Sequence, residues 1–285
     1  QDITKQKKSS DSLLKLSLAV EQSPNSIIIT NLDGNIEYVN NMFTKVTGYT
    51  KNEVLGKNPR IFKSNETPQS VYDNMWAHLT HGNIWHGELT NRRKDNSIYI
   101  ESATISPVKQ TDGTITNYVA IKEDITDRKS VEAHIENLAN FDQLTGLPNR
   151  FMLHDRVKYL LNLAQRNSES LTVMLLDLDH FKNINDTLGH TIGDKVLIEV
   201  ANRIKVTIRD QDTVSRLGGD EFIMLFPNTN SKAAMHIATK LIAVISKSSI
   251  IEQHELTITP SIGIAIYPDD GKNFETLQKN ADTAM

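Results

Sequence analysis

The chain has 285 residues, 38% of them hydrophobic and 23% charged, which suits two folded domains and excludes a disordered chain. The net charge of -4, with no basic run, argues against a nucleic-acid partner, and the lack of cysteine excludes disulfides and thiol chemistry. No apolar stretch approaches the roughly 20 residues that span a bilayer, and no signal peptide is evident, so the expectation is a cytoplasmic protein with no membrane contact by this segment.

Asp2-Ile3-Thr4-Lys5 returns as Asp124-Ile125-Thr126-Asp127, and each copy precedes a polar helical stretch. We read 1–22 as an N-terminal linker helix and 126–140 as a second linker helix. In the second, Val131, Ile135 and Leu138 fall at i, i+4 and i+7, one apolar stripe on a charged helix. Such a stripe needs cover, and a short coiled coil with a second copy supplies it; docking on its own domain is the alternative. Between the two helices, 23–125 alternates short strand signals with turns. Ile27 to Thr30 and Ile36 to Val39 flank Asn31-Leu32-Asp33-Gly34, a hairpin pattern. A more helical region follows to about Leu79, then strands are expected at Trp85 to Asn91, Ser97 to Ile105 and Ile115 to Ile121. The unit reads as a small antiparallel sheet with helices on one side.

Residues 141–285 have another rhythm: a helix from about Asn149 to Gln165, a buried strand from Leu171 to Leu176, then further helices. One of these runs from Lys195 to Ile208, and an N-cap before it is the competing reading for Asp194, compatible with a second role. A hairpin pairs Val214 to Leu217 with Phe222 to Phe226, a helix spans Ala233 to Lys247 and a strand spans Leu256 to Tyr267. Asn280 to Met285 reads as a helix in progress, so we expect a piece of a longer protein, truncated at its C-terminus.

The hairpin turn is Gly218-Gly219-Asp220-Glu221, and the Leu171 strand delivers Asp177 at its end. If Asp177, Asp220 and Glu221 converge, their charges repel unless a cation joins them, and hard oxygen ligands favour Mg²⁺. Mg²⁺ is usually shared with phosphates, and glycines at 218 and 219 leave room for a phosphorylated ligand. Spacing alone thus describes a metal-dependent nucleotide site, with a solvated acidic hairpin as the competing reading.

Arg216 to Phe222, RLGGDEF, resembles the signature of the GGDEF family, the diguanylate cyclases. Three further motifs resemble that family in order: FDQLTGLPNR at 141–150, DLDHFKNIND at 177–186 and SIGIA at 261–265. The resemblance implies an α+β fold with a mostly antiparallel central sheet surrounded by helices. It implies that two GTP become cyclic di-GMP and two pyrophosphates, with one GTP in each domain of a homodimer. It assigns two Mg²⁺ ions to Asp177, the Leu178 carbonyl, Asp220 and Glu221, with Asp220 or Glu221 also helping to deprotonate the attacking hydroxyl. Asn185 and Asp194 match the guanine-reading positions, and their amide and carboxylate suit that edge. Lys182 would approach a phosphate, with Gly218 and Gly219 lining the substrate. Arg209 and Asp212 form an RxxD pattern five residues before Gly218, the spacing of an inhibitory site for cyclic di-GMP. The family also uses a Lys and an Arg on a later helix, beyond Met285. The alternative is a degenerate domain that acts as a cyclic di-GMP or GTP receptor.

Residues 23–127 resemble a PAS sensor domain, through Asn40 to Phe43, Thr47-Gly48-Tyr49, Val54 to Arg60 and the closing Asp124-Ile125-Thr126. The earlier Asp2-Ile3-Thr4 suggests another such domain upstream. Without cysteine the light-sensing adduct chemistry of LOV domains is excluded. Asn58, Trp76 and Asn91 resemble the cofactor contacts of redox-sensing PAS domains, which implies FAD. An aromatic ring would pack on the flavin and Asn91 would bond its polar edge. Haem held by His78, His81 or His86, another ligand, or an empty pocket with Trp76 and Trp85 as packing residues, are the competing readings.

Overall fold

The structure is a computed structural model that describes residues 2–285, with side chains from residue 6 onward. The side chains of the Asp2-Ile3-Thr4-Lys5 repeat therefore lie outside the described residues. The chain forms two compact units, 1–132 and 133–285.

The first unit opens with helix α1 (Asp2–Glu21) and the hairpin β1 (Ser26–Thr30) and β2 (Ile36–Val39). Short helices α2 (Asn41–Thr47) and α3 (Lys51–Val54), a 3₁₀ turn at Pro59–Phe62 and α4 (Gln69–Thr80) follow. Strands β3 (Trp85–Arg92), β4 (Ile98–Lys109) and β5 (Ile115–Asp124) complete an antiparallel sheet of order β2-β1-β5-β4-β3. Alternate residues of β1 are buried, and Ile28, Val39, Phe43, Phe62, Leu79, Leu89 and Ala103 share one core. Asn40 explains part of its motif. It is buried, its Oδ1 accepts from Ile27 N (3.0 Å) and Phe43 N (3.1 Å), and its Nδ2 donates to the carbonyls of Val20 (3.0 Å) and Asn25 (2.9 Å). One amide thus caps α2 and ties it to α1 and β1.

Asp124 does the same at the exit. Its Oδ1 accepts from Thr126 N (3.0 Å) and Thr126 Oγ1 (2.6 Å), its Oδ2 accepts from Arg93 Nη2 (2.7 Å), and Ile100 N donates to Thr126 Oγ1 (3.0 Å). With Ile125 buried between them, these bonds fix the first turn of α5 (Thr126–Asn140) to the sheet.

The second unit continues with α6 (Arg150–Asn167), β6 (Leu171–Leu178), α7 (Phe181–Leu188), α8 (His190–Thr207), the hairpin β7 (Thr213–Gly218) and β8 (Glu221–Pro227), and α9 (Ser231–Ile245). A small hairpin of β9 (Ser249–Ile251) and β10 (His254–Leu256) precedes β11 (Pro260–Tyr267) and α10 (Phe274–Ala284). The sheet order is β11-β6-β8-β7, every pair antiparallel. The largely apolar run of β6, Leu171 to Leu176 with Thr172 buried among them, reflects burial on both faces. Met174, Leu176 and Leu178 join Phe222, Met224 and Phe226 in one core, while Leu171, Val173 and Leu175 join Ile223 and Leu225 in the other. On the second face α10 lies so close that a Cβ on Gly263 would sit 1.8 Å from the Ala281 carbonyl oxygen.

Two expectations change. Asp194 is not a helix cap: α8 begins at His190, because Gly189, at φ 87°, breaks α7 from α8 and Gly193 lies inside the helix. The strand expected from Leu256 to Tyr267 is two strands, β10 and β11, interrupted before Pro260.

Candidate active site and sensor cavity

Asp177 and Leu178 are the last residues of β6, and Asp220 and Glu221 lie at the β7–β8 turn of the neighbouring hairpin. The fold brings the carboxylates close enough to interact. Burial first, then the charges of Asp220, Glu221 and Asp179, push the Asp177 carboxyl above its ordinary value. They are not drawn together to the spacing of one ion's ligand shell, since no three His, Cys, Asp or Glu side chains gather that tightly among the described residues. Crowded, mutually repelling hard oxygens nevertheless suit a divalent cation, which would relieve the repulsion.

The glycines have a backbone reason as well as a steric one. Gly219 sits at φ 56° and Gly218 at φ 140°, conformations that a side chain disfavours, and a Cβ at either would meet open space. The turn therefore needs glycine to form, and the surface above it stays clear.

What holds that turn was not legible in the sequence reading. Arg216 donates from Nε (2.9 Å) and Nη2 (2.8 Å) to the Gly219 carbonyl, and from Nη1 to both oxygens of Asp142 (2.9 and 3.1 Å). Asp142 Oδ1 also accepts from Thr145 N (2.9 Å) and Thr145 Oγ1 (2.6 Å), and Arg216 N donates to the Pro148 carbonyl (3.1 Å). The opening motif is thus a clamp on the hairpin. Burial disfavours the Asp142 carboxylate, but Thr145 and Arg216 outweigh it and hold the carboxyl below its ordinary value.

A second clamp is likewise long-range, joining positions 80 and 82 residues apart. Asp179 Oδ2 accepts from Thr259 Oγ1 (2.6 Å), Oδ1 accepts from Ser261 Oγ (2.7 Å), and Asp179 N donates to the Thr259 carbonyl (2.9 Å). These bonds hold the tip of β6 against β11, where Ser261 pairs with Asp177. The two hydroxyls keep the Asp179 carboxyl below its ordinary value.

Lys182 is exposed on the first turn of α7, Asn185 lies further along that helix, and Asp194 is exposed on α8. The Asn185 carboxamide lies against Gly193, next to Asp194 in the chain. Arg209 is exposed just after α8, and its backbone N–H donates to Asp212 Oδ2 (2.9 Å). Asp212 therefore shapes the turn, and burial, against the opposing effect of Arg209, pushes its carboxyl up.

In the first unit, Asn58, Trp76 and Asn91 line one cavity of about 600 Å³, together with Arg60, Lys63 and Lys122. Trp76 is half-exposed and meets Tyr118 edge-on at 5.7 Å, whereas Trp85 is buried in the core. Asn91 Nδ2 donates to Glu101 Oε1 (2.8 Å), and Lys122 forms a buried ion pair with that same carboxylate. Lys122 and Glu101 had no sequence signal, because charged residues on adjacent strands read as solvated faces. The rings of His78 and His81 instead meet the carbonyls of Asn74 (2.9 Å) and Ala77 (2.7 Å), and His86 meets Thr104 Oγ1 (2.8 Å).

Fold and site together define a class: a five-stranded antiparallel unit with an internal cavity, followed by an α+β unit with carboxylates at a glycine hairpin. Residues 139–285 match the family described as diguanylate cyclase, GGDEF domain, and residues 24–127 match the PAS domain family. The chain belongs to the GGDEF diguanylate cyclase family, with a PAS domain ahead of the GGDEF domain. It is 47% identical over 148 residues to the bifunctional diguanylate cyclase/cyclic di-GMP phosphodiesterase MucR of Pseudomonas aeruginosa, covering 52% of this chain and 22% of MucR. It is 25% identical over 291 residues to the probable diguanylate cyclase DgcE of Escherichia coli, covering 99% of this chain and 26% of DgcE. The solved coiled coil and GGDEF domain of DgcB from Caulobacter crescentus, in complex with c-di-GMP, aligns with a TM-score of 0.50 at 27% identity, covering 55% of this chain and 86% of that one. The chain thus spans about a quarter or less of the length of MucR and DgcE. No helix among the described residues is long and apolar enough to cross a membrane.

Proposed function

We propose that this chain is the sensor and catalytic part of a diguanylate cyclase that converts two GTP to cyclic di-GMP and two pyrophosphates. The observation that supports the reading is the nearness of Asp177, at the tip of β6, to Asp220 and Glu221 at the β7–β8 hairpin, close enough for their charges to act on its carboxyl. Asp177, the Leu178 carbonyl, Asp220 and Glu221 would hold two Mg²⁺, which neutralise triphosphate charge when bound. The open face of Gly218 and Gly219 would admit the phosphates, and the exposed Lys182 ammonium would meet one. Asn185 and Asp194 read the guanine edge. Asp220 or Glu221 takes the proton from the 3′-hydroxyl, whose oxygen bonds to the α-phosphorus of the other GTP as pyrophosphate leaves. Two domains must face each other, which calls for a homodimer, and Arg209 with Asp212 would bind the product as an inhibitor. Incubating the full-length protein with GTP and Mg²⁺ should yield cyclic di-GMP, and Glu221→Gln should abolish it with the fold intact. Undiminished synthesis by that variant would sink the assignment.

For the PAS cavity we propose FAD. Asn58, Trp76 and Asn91 lining one cavity supports it, and Arg60 and Lys63 on the same walls suit a pyrophosphate. Trp76 would pack against the flavin, which would supply redox chemistry when bound. Freshly purified protein should be yellow and release FAD on denaturation; a colourless preparation that FAD cannot reconstitute refutes the reading.

A further inference from the structure

Gly193 stands where its own backbone has no need of glycine. It lies inside α8 and has no positive φ, so alanine would suit the helix better. The reason for glycine is in the neighbouring helix. A Cβ built on Gly193 would lie 1.9 Å from the side-chain oxygen of Asn185, 3.0 Å from its Cγ and 3.3 Å from Phe181 Cζ. The Asn185 carboxamide occupies the space that any other residue's side chain would fill. It is held there from α7, whose end is set by the sharp break at Gly189. The seat also puts the amide against the backbone one residue before Asp194.

We propose that Gly193 is a specificity-determining residue: by lacking a Cβ it seats the Asn185 carboxamide against α8, where amide and Asp194 carboxylate together meet a guanine edge. The inference rests on the reading of Asn185 and Asp194 as base contacts. Guanine offers O6 and N7 to an amide and its N1 and N2 hydrogens to a carboxylate, while adenine reverses the polarity at the six-position. Gly193 acts through Asn185 and touches no nucleotide itself. Adding one methyl group should therefore turn the amide away and remove base selectivity without harming the fold.

The test measures equilibrium binding of GTP and of ATP with Mg²⁺, together with thermal melting, on the full chain and on Gly193→Ala, Asn185→Ala and the double variant. Gly193→Ala should melt no lower than the parent, bind GTP at least tenfold more weakly and bind ATP unchanged, so that the GTP-to-ATP preference falls. Asn185→Ala should lose a similar factor, and the double variant should bind GTP no more weakly than Asn185→Ala, because the second change has nothing left to displace. If Asn185→Ala loses GTP binding but Gly193→Ala does not, the role of Gly193 is overturned while the base reading stands. Losses that multiply in the double variant, or a lowered melting temperature with Gly193→Ala, also overturn it. If Asn185→Ala binds GTP as the parent does, the base reading itself fails and takes the proposal with it.

Discussion

Arg216 spends its guanidinium on two things, the Gly219 carbonyl inside the hairpin turn and the Asp142 carboxylate outside it. Asp142 and Arg216 are 74 residues apart, which is why no pattern in the sequence joined them, although both sit in motifs that were recognised. The motifs that carry the proposed site residues are legible because each is a short continuous stretch; their supports are not, because support is long-range. The Asp142 carboxyl is held below its ordinary value of 3.8, so its bonds to Arg216 and Thr145 stabilise the fold above that pH. That contribution is lost as pH falls through the depressed folded value. Asp142→Asn should therefore cost about 1–3 kcal/mol at pH 6, the range for hydrogen bonds to charged groups. The gap to the parent should close as the pH drops below 4, and denaturant unfolding from pH 6 to pH 3 measures both; a gap independent of pH would show that ionisation is not what matters. Arg209 presents the opposite case. Its backbone N–H, not its side chain, is what Asp212 holds, so Arg209→Ala leaves the turn intact. If the guanidinium grips cyclic di-GMP, that variant should need at least tenfold more product for half-inhibition of turnover, and an unchanged inhibition curve would reduce the motif to surface charge.

Among the elements, β6 is legible as a buried strand because a run from Leu171 to Leu176 broken only by Thr172, and bounded by polar residues, has few other uses. The α7–α8 corner was misread for an equally physical reason. Asp194 has the chemistry of a helix cap, but Gly189 supplies the break, so the polar residue falls in the second turn and is left free for other work. In the sensor unit the strands were legible from alternation, while the Lys122–Glu101 pair, buried beside the cavity, was not. The β6–β11 edge shows how an element carries function without touching a ligand. Asp179 accepts from the hydroxyls of Ser261 on β11 and Thr259 just before it, beside the pairs that Asp177 and Leu178 make with β11. Asp179→Ala removes both acceptor oxygens, which should cost about 2 kcal/mol of stability. More tellingly, the Mg²⁺ concentration for half-maximal turnover should rise several-fold, while Thr259→Ala and Ser261→Ala, losing one bond each, should fall between. A stability loss with an unshifted Mg²⁺ dependence would confine the clamp to folding.

At the scale of the whole molecule, the proposed reaction turns on how two GGDEF domains meet. Each GGDEF domain holds one GTP in the proposed reaction, so turnover requires a pair of chains. Helix α5 carries the chain from one unit to the next, and its stripe is uncovered: Val131, Ile135 and Leu138 are 55%, 59% and 46% exposed. The rest of the helix is polar, with Arg128 and Glu132 pairing along its surface. Three aliphatic side chains at this spacing suit the seam of a two-stranded coiled coil, the arrangement proposed for α5, in which each would bury against its copy. Asp124 and Thr126 fasten the first turn of α5 to the sheet of the first unit, the connection through which a change in that sheet would reach the helix. Little energy is needed, since shifting the population of two helix arrangements tenfold takes about 1.4 kcal/mol. Ile135→Glu places a charge in the seam, and charge repulsion plus lost burial should weaken the dimer. Sedimentation should show the variant dissociating at concentrations where the parent is paired. Turnover per chain should fall and rise more steeply with protein concentration, while GTP binding to the single domain stays as it was. If the variant remains dimeric with unchanged turnover, the stripe is not the coupling element, and a signal from the sensor must reach residues 141–285 by another route.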